Sequence, residues 1–296
     1  MRRRNSMNRL LFVLYVFSAL PALPAVALTA TITNDLFEAF VNKIFLHQTA
    51  ICDLIHEHET THFTKDLWSK GDGKSTGVTR VISDGALIEK GAVSISVIRD
   101  QTLSAERAIA MGRRIGTSFA PGSTYSAAAL SLVLHSRHPL VPTFRSDVRV
   151  FKVGELCFFG GGADLTPYYL DDKDITAFHE MYKALCERHG EDYATHKASC
   201  DSYFYLPARG EHRGTGGIYF EDMPATPETL GFVNDLCGTL MKSWFEPICL
   251  KRRNDAYTEG QRDWQLIRRG RYLEFNLLYD RGESVRGARG QLLYRF

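Results

Sequence analysis

Between Asn34 and about Ile55, apolar side chains recur every three or four positions, at Leu36, Phe37, Phe40, Val41, Ile44 and Phe45. The spacing predicts an amphipathic helix with Asn34 or Asp35 as its cap. Val78–Ile82 and Ala86–Ile98 then read as strands joined by an Asp84-Gly85 turn, and Ala105–Ile115 as a short helix capped by Ser104. From Ala127 the period is two. Ser131, Val133 and His135 share one face and Leu130, Leu132 and Leu134 the other, while Asp147, Arg149, Phe151 and Val153 oppose Val148, Val150 and Lys152. Leu156–Phe159 is a further apolar strand, and the tight links argue for an antiparallel sheet. Helical spacing returns over Asp171–His189, with the stripe Ile175, Phe178, Tyr182 and Leu185, and over Pro227–Phe245 behind the cap Thr226.

Three denser stretches stand out. Phe158-Phe159-Gly160-Gly161-Gly162-Ala163-Asp164-Leu165-Thr166-Pro167-Tyr168-Tyr169 contains consecutive glycines, which lose too much backbone entropy to make a good strand or helix, so a turn into the helix from Asp171 is expected. Asp201–Met223 reads as an aromatic strand, an Arg/Gly-rich turn and a second aromatic strand. Arg268–Gly282 alternates as a strand, with Leu273, Phe275, Leu277 and Tyr279 opposing Tyr272, Glu274, Asn276, Leu278 and Asp280. Acids and an amide on one face are costly to bury without partners. That face either meets solvent or joins Ser131, His135, Asp147 and Arg149 in the polar floor of a cleft.

Composition adds limits. The 296 residues are 44% hydrophobic and 24% charged, enough for a substantial core. A net charge of +2 without a dominant basic tract gives no reason to expect nucleic acid. Six cysteines without a C-x-x-C pair point to buried thiols and not to a cysteine zinc or redox motif. Arg2, Arg3, Arg4 and Arg9 precede an apolar run from Leu10 to Leu28, the outline of a signal peptide, an organelle presequence or an anchor, although Pro21 and Pro24 argue against a straight spanning helix. Residues 1–30 are therefore set apart as a targeting segment, through which any membrane contact would come, and 31–296 as one domain. His58-Glu59-Thr60-Thr61-His62 matches the H-E-x-x-H pattern of zinc proteases. Its two β-branched threonines weaken the helix that the pattern needs, and a polar helix end is the competing reading.

The glycine stretch, the run Arg209-Gly210-Glu211-His212-Arg213-Gly214-Thr215-Gly216-Gly217-Ile218 and the run Arg268-Arg269-Gly270-Arg271-Tyr272-Leu273-Glu274-Phe275-Asn276-Leu277, continuing to Asp280-Arg281-Gly282, together resemble the oxygen-dependent coproporphyrinogen III oxidase family, in order and spacing, over about Phe40 to Gly282. The resemblance implies an α+β fold, a large antiparallel sheet sandwiched between helices, in a homodimer. It implies oxidative decarboxylation of two propionates of coproporphyrinogen III to vinyl groups, giving protoporphyrinogen IX in haem or chlorophyll synthesis, with O2 as co-substrate and no organic cofactor. By the same resemblance Ser131 and Arg149 are substrate contacts and Asp280 and Arg281 catalytic residues, while Arg271 and His135 join the substrate-binding set. A four-carboxylate ring calls for arginines that bind carboxylates bidentately. The family usually has histidine, assigned as proton donor, where this chain has Arg145, asparagine at Asp147 and histidine at Ala208. The proton-donor role is not carried onto Arg145, because arginine stays charged. Of the histidines assigned as metal ligands, His135 and His179 remain, too few for a tight divalent-metal site. Beyond Gly282 the residues depart from the family, and the segment that closes the site and supports the dimer is expected to be missing. The N-terminal segment points to an organelle, mitochondrion or plastid, or to a signal-bearing product, and to the cytoplasm if that segment is not translated. The alternatives are a degenerate tetrapyrrole-binding paralogue and a zinc metalloprotease built on His58 and His62.

Overall fold

The computed structural model describes residues 25–120 and 122–280. Its elements run α1 (Ala25–His56), β1 (Thr64–Ser69), β2 (Ser75–Ser83), β3 (Ile88–Thr102), α2 (Ala105–Ile115), β4 (Thr124–Ser136), β5 (Thr143–Val153), β6 (Leu156–Thr166), α3 (Asp172–Arg188), α4 (Tyr193–Tyr203), β7 (Tyr205–Leu206), β8 (Glu211–His212), β9 (Gly216–Pro224), α5 (Pro227–Trp244) and α6 (Glu259–Leu278), with a π-helical turn, Phe245–Leu250, after α5. Seven strands form one antiparallel sheet in the order β1-β2-β3-β4-β5-β6-β9, and β7 and β8 make a small hairpin. This is the expected α+β architecture. The first 24 residues, which hold most of the proposed leader, and residues 281–296 lie outside the described residues. Among the described residues no helix is long and apolar enough to cross a membrane.

Alternation gives the sheet two chemically different faces. Val93 and Ile95 of β3, Leu130, Leu132 and Leu134 of β4, Val148 and Val150 of β5 and Ile218 and Phe220 of β9 enter one core with Phe40 and Ile44 of α1, Phe178 and Tyr182 of α3 and Leu236 and Trp244 of α5. Those helices start where capping chemistry permits. The Asp171 carboxylate accepts from the N–H groups of Lys173 and Asp174, and Thr226 and Thr229 form a reciprocal capping box. Fully burying one such Leu or Phe side chain contributes about 1.5–3 kcal/mol, so this face supplies most of the stabilisation.

Three expectations are corrected. The run from Arg268 lies within helix α6, not a strand. A Thr258/Gln261 capping box starts the helix at Glu259, well before the expected strand at Arg268, and Gln265, Tyr272 and Phe275 then fall on one helical face. Tyr272 and Phe275, assigned to opposite faces of a strand, are 4% and 0% exposed, whereas Leu273 and Leu277 are 51% and 56% exposed. The glycines are not a turn either. Gly160, Gly161 and Gly162 lie inside β6, where a Cβ on Gly161 would come within 2.5 Å of the Asp147 carbonyl oxygen and one on Gly162 within 2.1 Å of the Ile218 carbonyl oxygen. Close approach of the neighbouring strands overrides the entropic penalty of glycine. Finally, Asp201–Tyr203 ends α4 instead of opening a strand, so the first aromatic strand shrinks to the two residues of β7 (Tyr205–Leu206), while the second forms in full as β9.

The H-E-x-x-H residues follow the end of α1 and are not on a helix. Glu59 is buried and its carboxylate accepts from the backbone N–H groups of Ala86, Leu87 and Ile88 at 2.7, 2.7 and 2.5 Å, tying the β2–β3 turn. His58 packs on the Phe245 ring. The polar helix end is thus what the structure contains.

Gly162→Ala is expected to lower unfolding free energy by about 1–3 kcal/mol, the usual cost of overpacking. A urea midpoint equal to that of the parent protein would show that β6 and β9 can separate without cost.

Candidate active site

The face opposite the core is polar. Ser131 pairs with Asp147, Ala129 with Arg149 and Val133 with Arg145, and directly opposed residues share a face. On β6 the same rows carry Gly160, Gly162 and Asp164, and on β9 Tyr219 stands opposite Gly162. Ser131 is exposed although β4 is the middle strand of seven. A side chain so placed meets solvent only where nothing packs on it, so the floor is open at Ser131. One wall is the apolar cluster of Leu103, Ala108, Tyr125 and Val153 beneath α2. The other is Phe204, Tyr219 and Phe275, where α4 and α6 cover the sheet.

Charges alternate along this floor. The Asp147 carboxylate lies between Arg145 at 2.9 Å and Arg149 at 2.5 Å. Arg149 Nη2 also donates to Glu221 Oε1 at 3.1 Å and to the Tyr219 hydroxyl at 3.4 Å. Arg145 lies 3.6 Å from Asp164, and Asp164 accepts from Arg213. From α2, Arg114 reaches Asp222 at 2.8 Å. Burial would raise the Asp147 carboxyl, but Arg145 and Arg149 outweigh it and hold it below the usual carboxylate range. Burial would lower Arg145, and Asp147 and Asp164 more than offset it, so Arg145 stays cationic. Gly160 makes room for this row, because a Cβ there would stand 3.0–3.1 Å from the Arg149 guanidinium.

The expected site residues separate into groups. Ser131 and Arg149 are on the open floor. Asp280 follows α6, and its Oδ1 accepts from the Tyr203 hydroxyl at 3.3 Å, while its charge also reaches Arg145. Arg281 lies outside the described residues. His135 is on the same sheet face but under α6, edge-on to Tyr272 at 5.2 Å with Nδ1 2.9 Å from the Thr143 hydroxyl. Burial, then Arg269 and Arg213, push its pKa down to about 3, so it is a neutral imidazole. Arg271, expected beside the floor, instead pairs with Glu274 at 3.3 Å and lines a pocket with Arg209, Glu211 and Arg268. The helical period, in place of the strand period, turned it away. His179 has both ring nitrogens engaged, with the Tyr193 hydroxyl and the Thr215 carbonyl. Among the described residues no group of three or more His, Cys, Asp or Glu side chains could hold a metal ion.

Sequence reasoning missed Arg213, Tyr203, Tyr219 and Glu221. Arg213 is 1% exposed, with its guanidinium 3.8 Å from the Phe204 ring centroid and 4.5 Å from that of Tyr272. Its signal was the spacing that returns an arginine to the strand carrying Asp164, legible only once β6 and β9 are known to pair.

An open antiparallel sheet face with a small-residue floor and acid-paired arginines, flanked by helices, defines the site of this α+β protein. The family profile described as coproporphyrinogen III oxidase matches residues 38–286, and the chain belongs to that family. It is 40% identical over 246 residues to the mitochondrial oxygen-dependent coproporphyrinogen-III oxidase of Mus musculus, covering 79% of this chain and 55% of the mouse protein. It is 36% identical over 261 residues to the oxygen-dependent coproporphyrinogen-III oxidase of Francisella tularensis subsp. holarctica, covering 83% of this chain and 82% of the bacterial one. This chain therefore spans about half the length of the mouse relative and most of the bacterial one.

Because His135 is held neutral when folded, the unfolded chain binds more protons than the folded one between the ordinary value of 6.5 and about 3. The stabilisation it provides is present above pH 6.5 and is lost as pH falls towards 3, at up to about 1.4 kcal/mol per pH unit. Urea unfolding of His135→Asn is expected to show a flatter loss of stability across that acid range than the parent. Parallel slopes would mean that the imidazole is not buried in its neutral form.

Proposed function

We propose that this chain catalyses the oxygen-dependent decarboxylation of two propionates of coproporphyrinogen III, giving protoporphyrinogen IX in haem or chlorophyll synthesis. Each step balances as R–CH2–CH2–COO⁻ + O2 + H⁺ → R–CH=CH2 + CO2 + H2O2. One C–C and one C–H bond break, a C=C bond forms, and O2 takes the two electrons. The observation that carries the reading, beside family membership, is the solvent-open Ser131 beside Arg149 on a charged floor. Four substrate carboxylates need cations that are already in place, and an arginine held by two acids is oriented before the ligand arrives.

In this reading Ser131 and Arg149 contact the macrocycle and its carboxylates, and neutral His135 borders the covered end. Arg271 is left out because it faces away from the floor. Asp280, with Arg281 next to it in the chain, supplies the anion that hydrogen-bonds pyrrole N–H groups and stabilises positive charge as the ring is oxidised. The electron-rich pyrroles are the internal source of electrons, so O2 is the co-substrate assigned. A homodimer belongs to the same proposal, as does one domain over 31–296. An organelle location is supported by the basic and apolar start of the chain and by the mitochondrial name of the mouse relative.

The test mixes purified protein with coproporphyrinogen III anaerobically and then admits O2. Protoporphyrin fluorescence and released CO2 are the expected result. Asp280→Asn is expected to lower kcat by about 100-fold or more, the scale of a lost positioned acid or base, with the ring still bound. Arg149→Ala is expected to raise KM by about tenfold, one charged hydrogen bond's worth. Binding of the ring by the parent protein with no turnover would defeat the enzyme reading in favour of a tetrapyrrole-binding paralogue.

A further inference from the structure

We propose that Tyr203, stacked on Tyr219, is the positioning residue that fixes the Asp280 carboxylate relative to Arg149. The inference rests on the proposed roles of Asp280 and Arg149. Asp280 lies just beyond α6, where its backbone N–H and that of Tyr279 both go to the Phe275 carbonyl. Past the end of a helix, lateral contacts add to what the backbone fixes for a carboxylate. Tyr203, the last residue of α4, supplies one through the 3.3 Å hydrogen bond from its hydroxyl to Asp280 Oδ1.

The Tyr203 ring is itself clamped. It stacks on Tyr219 at 4.6 Å and 18°, meets Phe204 edge-on at 4.9 Å and Phe275 at 5.8 Å and 64°. Contacts from α4, β9 and α6 thus hold one ring, and such pairs prefer these geometries. Tyr219 is fixed in turn by its register opposite Gly162, and its hydroxyl accepts from Arg149 Nη2 at 3.4 Å. Burial raises the Tyr219 phenol above its usual range more than Arg149 lowers it, so it stays a neutral hydroxyl. The run Asp280, Tyr203, Tyr219, Arg149 therefore joins the end of α6 to the centre of the sheet, with Arg145 the charged group facing Asp280 from β5. A purely structural aromatic pair would need neither hydroxyl, and here each hydroxyl meets a different proposed site residue. A displacement of about 1 Å between such groups can cost about 100-fold in rate.

Two measurements test this. In Tyr203→Phe the stack and the fold are retained, and kcat for coproporphyrinogen III under O2 is expected to fall about tenfold, the loss of one hydrogen bond to a charge, with KM changed less than about twofold. In Tyr203→Leu, which also removes the stack that supports Tyr219 and Arg149, KM is expected to rise as well. Independently of turnover, NMR of protein labelled at tyrosine Cζ, with the Tyr203 line identified by its loss in Tyr203→Phe, should show that line moving in Asp280→Asn. Kinetics of Tyr203→Phe equal to the parent, or a Tyr203 line unmoved by Asp280→Asn, overturns the proposal. A parent protein that does not turn over the ring defeats the proposed function instead, and the NMR line then still decides the positioning role.

Discussion

Arg145, Asp147 and Arg149 alternate in charge along one strand, and the rest of the polar face is arranged to keep the three paired. Arg149 keeps 35% of its side chain exposed, and the other two are more deeply buried. The side chains of Arg145 and Asp147 are 15% and 10% exposed. Removing one member of such a pair would leave an uncompensated charge, at a cost of about 3–5 kcal/mol. Each end of the row is therefore supplied with a further counter-charge, Glu221 on β9 beside Arg149 and Asp164 on β6 beside Arg145. The two acids come from different strands, so the charge row also fixes how β5, β6 and β9 sit against one another.

The glycines of β6 follow from that constraint. Arg149 lies over Gly160, and Gly161 and Gly162 let β5 and β9 approach so closely that no Cβ fits. The poor strand propensity of three glycines is a local penalty of about 1 kcal/mol or less per residue, set against charged contacts that would otherwise be lost. The same trade explains why the apolar face is conventional. The core of α1, α3 and α5 carries the stabilisation, which leaves the opposite face free to hold charges and an open serine.

How much of this was legible depended on whether one chain segment or two set the outcome. The helices α2, α3 and α5 were readable to within a residue or so, because Ser104, Asp171 and Thr226 announce their starts and the buried stripes follow locally. The faces of β4 and β5 were readable because alternation is a property of one strand. β1 carried no such signal, since its exposed edge needs little apolar patterning. The glycines and α6 were misread for the opposite reason. Whether a glycine is a turn or a point of contact depends on the strand beside it, and whether Tyr272 and Phe275 share a face depends on where the helix begins. Arg271 left the floor as a direct result. Arg213 and the tyrosine pair became visible only once β6, β9, α4 and α6 were brought together.

The charge states on the floor narrow where proton chemistry can occur. Arg145 is held cationic by two acids and Asp147 is held anionic by two arginines. His135, the imidazole on that face, is kept neutral down to about pH 3 by burial and neighbouring guanidinium groups. These three groups keep one charge state throughout the neutral range. Their charges stay fixed across that range, which makes them poor proton carriers. The rim toward α6 is where Asp280 meets Tyr203, and it is reached from the sheet through Tyr219 and Arg149. The fixed charge states of the floor thus follow from how the sheet satisfies its own buried charges.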